Sequence, residues 1–229
     1  MSTRFTPREM LEKLISFNTV SDRSNLDLIS FVESYLAEHG VASIRVPDDA
    51  GTKAALHARI GPCEDGGVVL SAHTDVVPVA GQAWSQDPFA AWISDGKLYG
   101  RGSADMKGFA ATVLARVPDF LAADLQRPVH IALSYDEEVG CFGAPPLVRD
   151  MLAKGPRPGI AIVGEPTNMR VVTAHKGIAV YKTTIRGHPA HSSQLHRGVS
   201  AISAAAKLIS WLDARTSESK ATAAPNSTF

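Results

Sequence analysis

The chain has 229 residues, enough for one or two buried cores, with 45% hydrophobic and 20% charged residues, an ordinary soluble globular make-up. Its 23 Lys and Arg balance 23 Asp and Glu, so charge gives no reason to expect nucleic acid or an anionic membrane as partner. Cys63 and Cys141 stand far apart and match no CxxC pattern, which fits a reducing cytoplasm better than a disulfide framework.

Met1 to Met10 is polar and carries no apolar signal region, so a secreted protein is not expected. Pro7 to Phe17 places Met10, Leu11, Leu14 and Ile15 at helical spacing behind a Thr6-Pro7-Arg8-Glu9 start. A second amphipathic helix is predicted from Asn25 to Glu38, stopped by Gly40. Ala54 to Ile60 and Val68 to Ala72 read as strands, the second apolar enough to lie centrally in a sheet. His73 to Ala104 is rich in Gly, Pro, Asp and Ser and reads as a long irregular stretch, a length that usually serves function. Helix and strand then alternate: Met106 to Val117 helix, Val129 to Tyr135 strand, Gly143 to Leu152 helix, Ile160 to Val163 strand. That order predicts an α/β fold, a mostly parallel central sheet flanked by helices.

From Ile178 the texture changes. Val180 to Ile185 alternates as a half-exposed strand, and Val199 to Leu212 reads as a long helix. Ser203, Lys207 and Ser210 interrupt that helix, which is too short and polar to cross a bilayer. The predicted domains are therefore 1–177 and 178–229. The Ser, Thr, Ala and Pro-rich tail ends on Ser227-Thr228-Phe229, where a further strand would begin.

The chemistry gathers at strand ends. Ser71-Ala72-His73-Thr74-Asp75 follows an apolar strand directly, and ligands of open α/β sheets collect at the carboxyl ends of strands. A neutral imidazole suits zinc, and a carboxylate two residues on can orient it. Alone, an H-x-D pair reads better as a turn closure. Asp105 follows at the head of a helix, Glu138 comes after the Val129 strand, and Glu165 after the Ile160 strand. Each alone suits a helix cap or a solvated loop. Together they offer the nitrogen and oxygen donors that a pair of divalent cations requires. Asp136-Glu137-Glu138 places three carboxylates in a row, a repulsion that cations would relieve. One glutamate can then bind metal while its neighbour takes a proton from the attacking water.

Competing motifs fall away. In Gly100-Arg101-Gly102 the third glycine of a dinucleotide fingerprint would fall on Asp105, which would repel a pyrophosphate. Neither a G-x-S-x-G elbow nor a P-loop is present. His57 and His130 lie in apolar strands as structural residues, and His39 sits at a helix C-terminus where its charge suits the dipole. His188, His191 and His196 crowd a Ser-rich loop before the last helix; a surface loop is the simpler reading for His188 and His196.

These segments resemble a known family. Ser71-Ala72-His73-Thr74-Asp75-Val76-Val77-Pro78, Leu98-Tyr99-Gly100-Arg101-Gly102-Ser103-Ala104-Asp105-Met106-Lys107-Gly108, Tyr135-Asp136-Glu137-Glu138-Val139-Gly140 and Val163-Gly164-Glu165-Pro166-Thr167 occur in order across the chain. They are similar to the di-zinc metallopeptidases and deacylases, which include acetylornithine deacetylase, succinyl-diaminopimelate desuccinylase, aminoacylases and glutamate carboxypeptidases. The resemblance implies two Zn2+, with Co2+ as a substitute. It implies His73 and Glu165 on one zinc, Asp105 bridging, and Glu138 on the other. It further implies Asp75 orienting His73, Glu137 as general base, and His191 assisting the oxyanion from a partner subunit of a homodimer formed through a lid domain. Gly81 to Phe89, Ser134 to Cys141 and His175-Lys176-Gly177 are closest in character to the acetylornithine deacetylase branch. That branch implies a small-molecule N-acyl amino acid substrate, cleaved at its N-acetyl amide in arginine synthesis, in the cytoplasm. In one departure, the family carries a further metal-binding histidine, closing strands and substrate contacts near the end of a longer chain, and this sequence stops at Phe229 within the lid-like part. The C-terminal part of the family fold is thus expected to be missing. Alternatives to the deacetylase are a truncated non-catalytic remnant and a desuccinylase or dipeptidase with a related substrate.

Overall fold

The computed structural model describes residues 3–223. Helix α1 (Pro7–Ile15) starts on a full capping box: Glu9 N–H donates to Thr6 Oγ1 at 3.2 Å, and the Glu9 carboxylate accepts from Thr6 N–H at 2.8 Å. Helix α2 (Leu26–Glu38) follows Asn25, whose side chain caps nothing. Asn25 instead donates from Nδ2 to the Ala54 carbonyl (2.8 Å) and to Thr74 Oγ1 (2.9 Å), and its Oδ1 accepts from Ala54 N–H. A buried amide thus ties the start of α2 to the sheet. Gly40, at φ +72°, ends the helix as expected.

Five strands form the central sheet, β1 (Ser43–Pro47), β2 (Ala54–Ile60), β3 (Val68–His73), β6 (Val129–Ser134) and β7 (Ile160–Val163), in the spatial order β1-β2-β6-β3-β7. β3 runs parallel to both β6 and β7, while β2 pairs antiparallel with β6 and with β1. Four strands therefore point one way and only β2 opposes them, so the sheet is mostly parallel. β6 is buried at every position, as a strand covered on both faces should be.

Helices α1, α2 and α3 (Lys107–Ala115) cover one face, where Met10, Leu14, Leu28, Leu36, Leu114 and Leu133 belong to one core. Helix α5 (Ala144–Lys154), with Pro145 and Pro146 in its first turn, covers the other with Leu147 and Met151.

Several expectations need correction. The predicted helix Met106 to Val117 breaks at Arg116, and a short helix α4 (Val117–Ala122) follows with Pro118 in its first turn. Proline lacks an N–H and clashes with the carbonyl four residues back, so α3 cannot run through it. The stretch His73 to Ala104 is not wholly irregular: β4 (Trp92–Ser94) and β5 (Lys97–Tyr99) pair as a hairpin around Asp95-Gly96, both at positive φ. That turn chemistry is a strong hairpin signal. β1 was also missed.

By its contacts the chain divides into two compact units, Met1–Val172 and Thr173–Phe229. In the second, Val180 to Ile185 is not a strand; it has no ladder to join among the described residues, and an extended segment without one leaves its backbone groups to solvent. His188 and Val199 form an isolated bridge around a 3₁₀ turn at Ser192–Arg197. Helix α6 (Ala201–Thr222) runs ten residues past the expected end at Leu212 and is capped by Ser200 Oγ, which accepts from Ser203 N–H at 3.1 Å. Ser227 to Phe229 lies outside the described residues. No described helix is long and apolar enough to cross a membrane.

Candidate metal centre

The carboxyl ends of β3, β6 and β7 lie side by side because these strands are parallel; the segments leaving them carry Asp75, Glu137, Glu138 and Glu165, and Asp105 is brought in at the head of α3. His73 is the last residue of β3 and is buried. Its Nε2 lies 3.0 Å from Asp105 Oδ1, 3.8 Å from Glu165 Oε1 and 4.0 Å from Glu137 Oε2. Its Nδ1 is 2.9 Å from the Asp75 carbonyl and 3.5 Å from the Asp75 carboxylate. Nδ1 is thus engaged by Asp75 and Nε2 faces the acids.

Two sets of donor atoms lie within 4.8 Å of one another, His73 with Asp105 and Glu138, and His73 with Glu137 and Glu165. The carboxylates of Asp105, Glu137, Glu138 and Glu165 therefore converge on one imidazole. Asp75 sits beneath them, fully buried. Its carboxylate accepts from Ser21 Oγ (2.7 Å), Glu137 N–H (3.1 Å) and Glu138 N–H (3.3 Å). Asp75 thus holds the glutamate loop as well as the histidine. His191 lies in the second unit, where Nδ1 pairs with Ser193 Oγ at 2.8 Å and accepts from Ser193 N–H.

Charge is crowded here. Burial raises the pKa of Glu138 above its ordinary value, as does the Asp105 charge, while His73 opposes the rise. Glu165 is raised by burial too, with His73 lowering and Asp105 and Glu137 adding to the rise. For His73 burial works downward, but the Asp75 hydrogen bond and charge and the Glu165 charge outweigh it and lift the imidazole to about 9. Burial pushes Asp75 up, yet the hydrogen bonds from His73, Ser21 and the Glu137 N–H leave it below the usual carboxylate range. Carboxylates driven toward protonation by burial and by one another's charge, next to an imidazole nitrogen, form a donor set that divalent cations fit.

Glycine permits two close approaches. A Cβ on Gly164 would stand 1.9 Å from the Phe109 ring, so only glycine lets β7 pass α3 and deliver Glu165. Gly102, at φ +83°, meets Val76 and Lys107 in the same way.

The sequence did not reveal the scaffold of the site. Ser21 holds Asp75, Thr19 Oγ1 donates to the Thr74 carbonyl at 2.6 Å, and Thr74 Oγ1 donates to the Ser134 carbonyl at 2.8 Å. Lys107 is buried and donates to the Leu14 and Phe17 carbonyls at 3.0 and 2.8 Å; burial pushes its pKa down to about 7 against the Asp75 charge. Asp136 was read with its neighbours as relieved by cations; it is paired instead with the Lys53 ammonium. Of the other histidines, His57 Nε2 pairs with Asp150 at 2.8 Å, His130 is buried within β6, and His39 Nδ1 lies 2.9 Å from the Tyr35 carbonyl at the end of α2.

A parallel-strand edge that collects one imidazole and four carboxylates defines an α/β protein with a candidate divalent-metal site. Residues 69–225 match the model of peptidase family M20/M25/M40, and the chain belongs to that family. It is 39% identical over 183 residues to an acetylornithine deacetylase of Shigella sonnei (strain Ss046), a match covering 79% of this chain and 46% of that protein. The chain thus spans about half the length of that relative. Among solved structures, it is similar to a tripeptidase of Staphylococcus aureus, with TM-score 0.61 and 17% identity over 91% of this chain and 57% of the other. An M20 family metallo-carboxypeptidase of Sulfolobus solfataricus gives TM-score 0.58 and 21% identity over 70% and 37%. At these identities the two structures speak for the fold.

Proposed function

We propose that the chain acts as a metal-dependent amidohydrolase on an N-acyl amino acid, with N2-acetyl-L-ornithine as substrate and acetate and L-ornithine as products. The observation that carries this reading is the convergence of Asp105, Glu137, Glu138 and Glu165 on His73. The identity to an acetylornithine deacetylase supports the choice of acyl group and amino acid.

His73, Asp105, Glu138 and Glu165 would hold two zinc ions, or cobalt in their place. Bound there, such ions supply Lewis acidity toward the amide carbonyl and lower the pKa of water toward neutrality. Asp75, through its contacts to His73 and to the Glu137 and Glu138 N–H groups, keeps the ligands oriented. Glu137 is the general base: it accepts the proton of the water that adds to the carbonyl carbon, then gives it to the amide nitrogen as the C–N bond breaks. His191 would assist the developing oxyanion from the partner subunit of a homodimer, acting in the cytoplasm.

The test is acetate release from acetylornithine by the zinc- or cobalt-loaded chain, alongside N-succinyl amino acids and dipeptides. Glu137→Gln should lower kcat at least a hundredfold, about the size of a general-base contribution. Equal release by both chains removes Glu137 from that role. Tight metal uptake without turnover of any substrate would favour a non-catalytic chain.

A further inference from the structure

Three consecutive carboxylates leave β6, yet only two of them enter the donor sets around His73. The first, Asp136, is held elsewhere by the ammonium of Lys53, and both side chains are mostly buried, 13% exposed for Asp136 and 16% for Lys53. Strand direction makes this pairing. Because β2 runs antiparallel to β6, with Leu56 opposite Leu133, extending the register by three residues sets Lys53 opposite Asp136 just past the ladder. Lys53 is itself fixed by the turn joining β1 to β2. Its N–H donates to Asp48 Oδ1 at 2.9 Å, and its carbonyl accepts from Asp48 N–H at 2.9 Å.

The same ammonium also donates to the Ser21 carbonyl. Ser21 donates its hydroxyl to Asp75, and Asp75 accepts from the N–H groups of Glu137 and Glu138. A closed circuit results: Lys53 grips the residue before the two glutamates from one side and the support of their backbone from the other. Asp136 stands at φ +57°, in the left-handed region, so the chain turns sharply at this residue.

We propose that Lys53 is a positioning residue that sorts the acidic triplet, drawing Asp136 away from the metal centre so that Glu137 and Glu138 alone face it. The proposal rests on reading the His73 cluster as a metal centre. Without the ammonium, Asp136 is an uncompensated, mostly buried carboxylate beside two glutamates, and a divalent cation is then its strongest available partner.

Cobalt(II) titration of the full chain reads the ligand field directly, through the visible absorption band, and the affinity with it. Lys53→Met should shift that band and weaken cobalt binding about tenfold, the lower end of the effect of losing a ligand's supporting contact. Lys53→Arg keeps the charge, and Asp136→Asn leaves an acceptor for Lys53 while removing the competing carboxylate; both should keep the wild-type band. Should Lys53→Met not fold, Lys53→Gln takes its place. A wild-type band in the Met or Gln variant overturns the proposal. So does an equal loss in folded Lys53→Arg or Asp136→Asn, because the pair would then be only a strut. A wild-type chain that takes up no cobalt overturns the metal-centre reading and this proposal with it.

Discussion

The two faces of the central sheet are closed to different degrees. On one, α1, α2 and α3 bury Leu14, Ile29, Leu56, Leu114, Ile131 and Leu133 in a continuous core. On the other, α5 alone packs Leu147 and Met151 against Ala55, Val69 and Ala132. A cavity of about 440 Å³ remains there beside β7, whose Ile160, Ile162 and Val163 are exposed. Yet β7 is the strand that delivers Glu165. Stability therefore resides mainly on the closed face, while one ligand of the proposed metal centre follows a strand exposed at the edge of the sheet.

The contrast is sharpest in core truncations. Leu133→Ala on the closed face should cost toward the upper end of about 2–5 kcal/mol, measured by urea unfolding. Leu147→Ala on the open face should cost toward the lower end, since its surroundings already border empty space and can relax. Equal losses would break the comparison. Next in size, Gly164→Ala drives a Cβ into the Phe109 ring. Overpacking of this kind costs about 1–3 kcal/mol, and metal affinity should fall because Glu165 is the next residue. Adding Phe109→Ala should restore part of the affinity, and no recovery would place the damage elsewhere.

Proton linkage gives a third effect. The imidazole of His73, lifted to about 9, is protonated in the metal-free chain at neutral pH and must lose its proton to bind a cation. Metal uptake near pH 7.5 should therefore release about one proton, and affinity should fall about tenfold per pH unit as pH drops below that pKa. Calorimetry in two buffers of different ionisation enthalpy measures the release; zero release would remove His73 from the ligand set.

The smallest effect lies on α5. The Asp150 carboxyl is held below its ordinary pKa by the hydrogen bonds of Lys154 and His57. Because the folded value is depressed, its contribution is present above the unfolded pKa of about 3.9 and is lost as pH falls through the folded value. Asp150→Asn should flatten that part of the acid-unfolding curve and leave cobalt binding unchanged.

Most of the site was legible locally. His73, Asp105, Glu138 and Glu165 each follow a strand or precede a helix whose periodicity is plain, and parallel strands must place their carboxyl ends together. The Asp95-Gly96 turn carries a hairpin signal too, but it lies within a stretch whose Gly, Pro, Asp and Ser content reads as loop. Ser21 and Lys53 carry no such mark. A serine in a polar run and a lysine after a turn look like solvent-facing residues until the pairing partners of their neighbours are known.

By itself, the sequence determined which residues are candidate donors, which strands are buried, and roughly where helices begin, because hydrophobic period, capping residues and proline act over a few positions. Val180 to Ile185 marks the limit of that reach, since alternation makes a strand only where another strand offers a ladder. Tertiary structure alone decided the register of β2 against β6, and with it the pairing of Lys53 with Asp136. It also decided the passage of β7 across α3 at Gly164 and the support of Asp75 by Ser21. Those contacts join residues tens of positions apart, and their energies exist only once the sheet has brought the segments together.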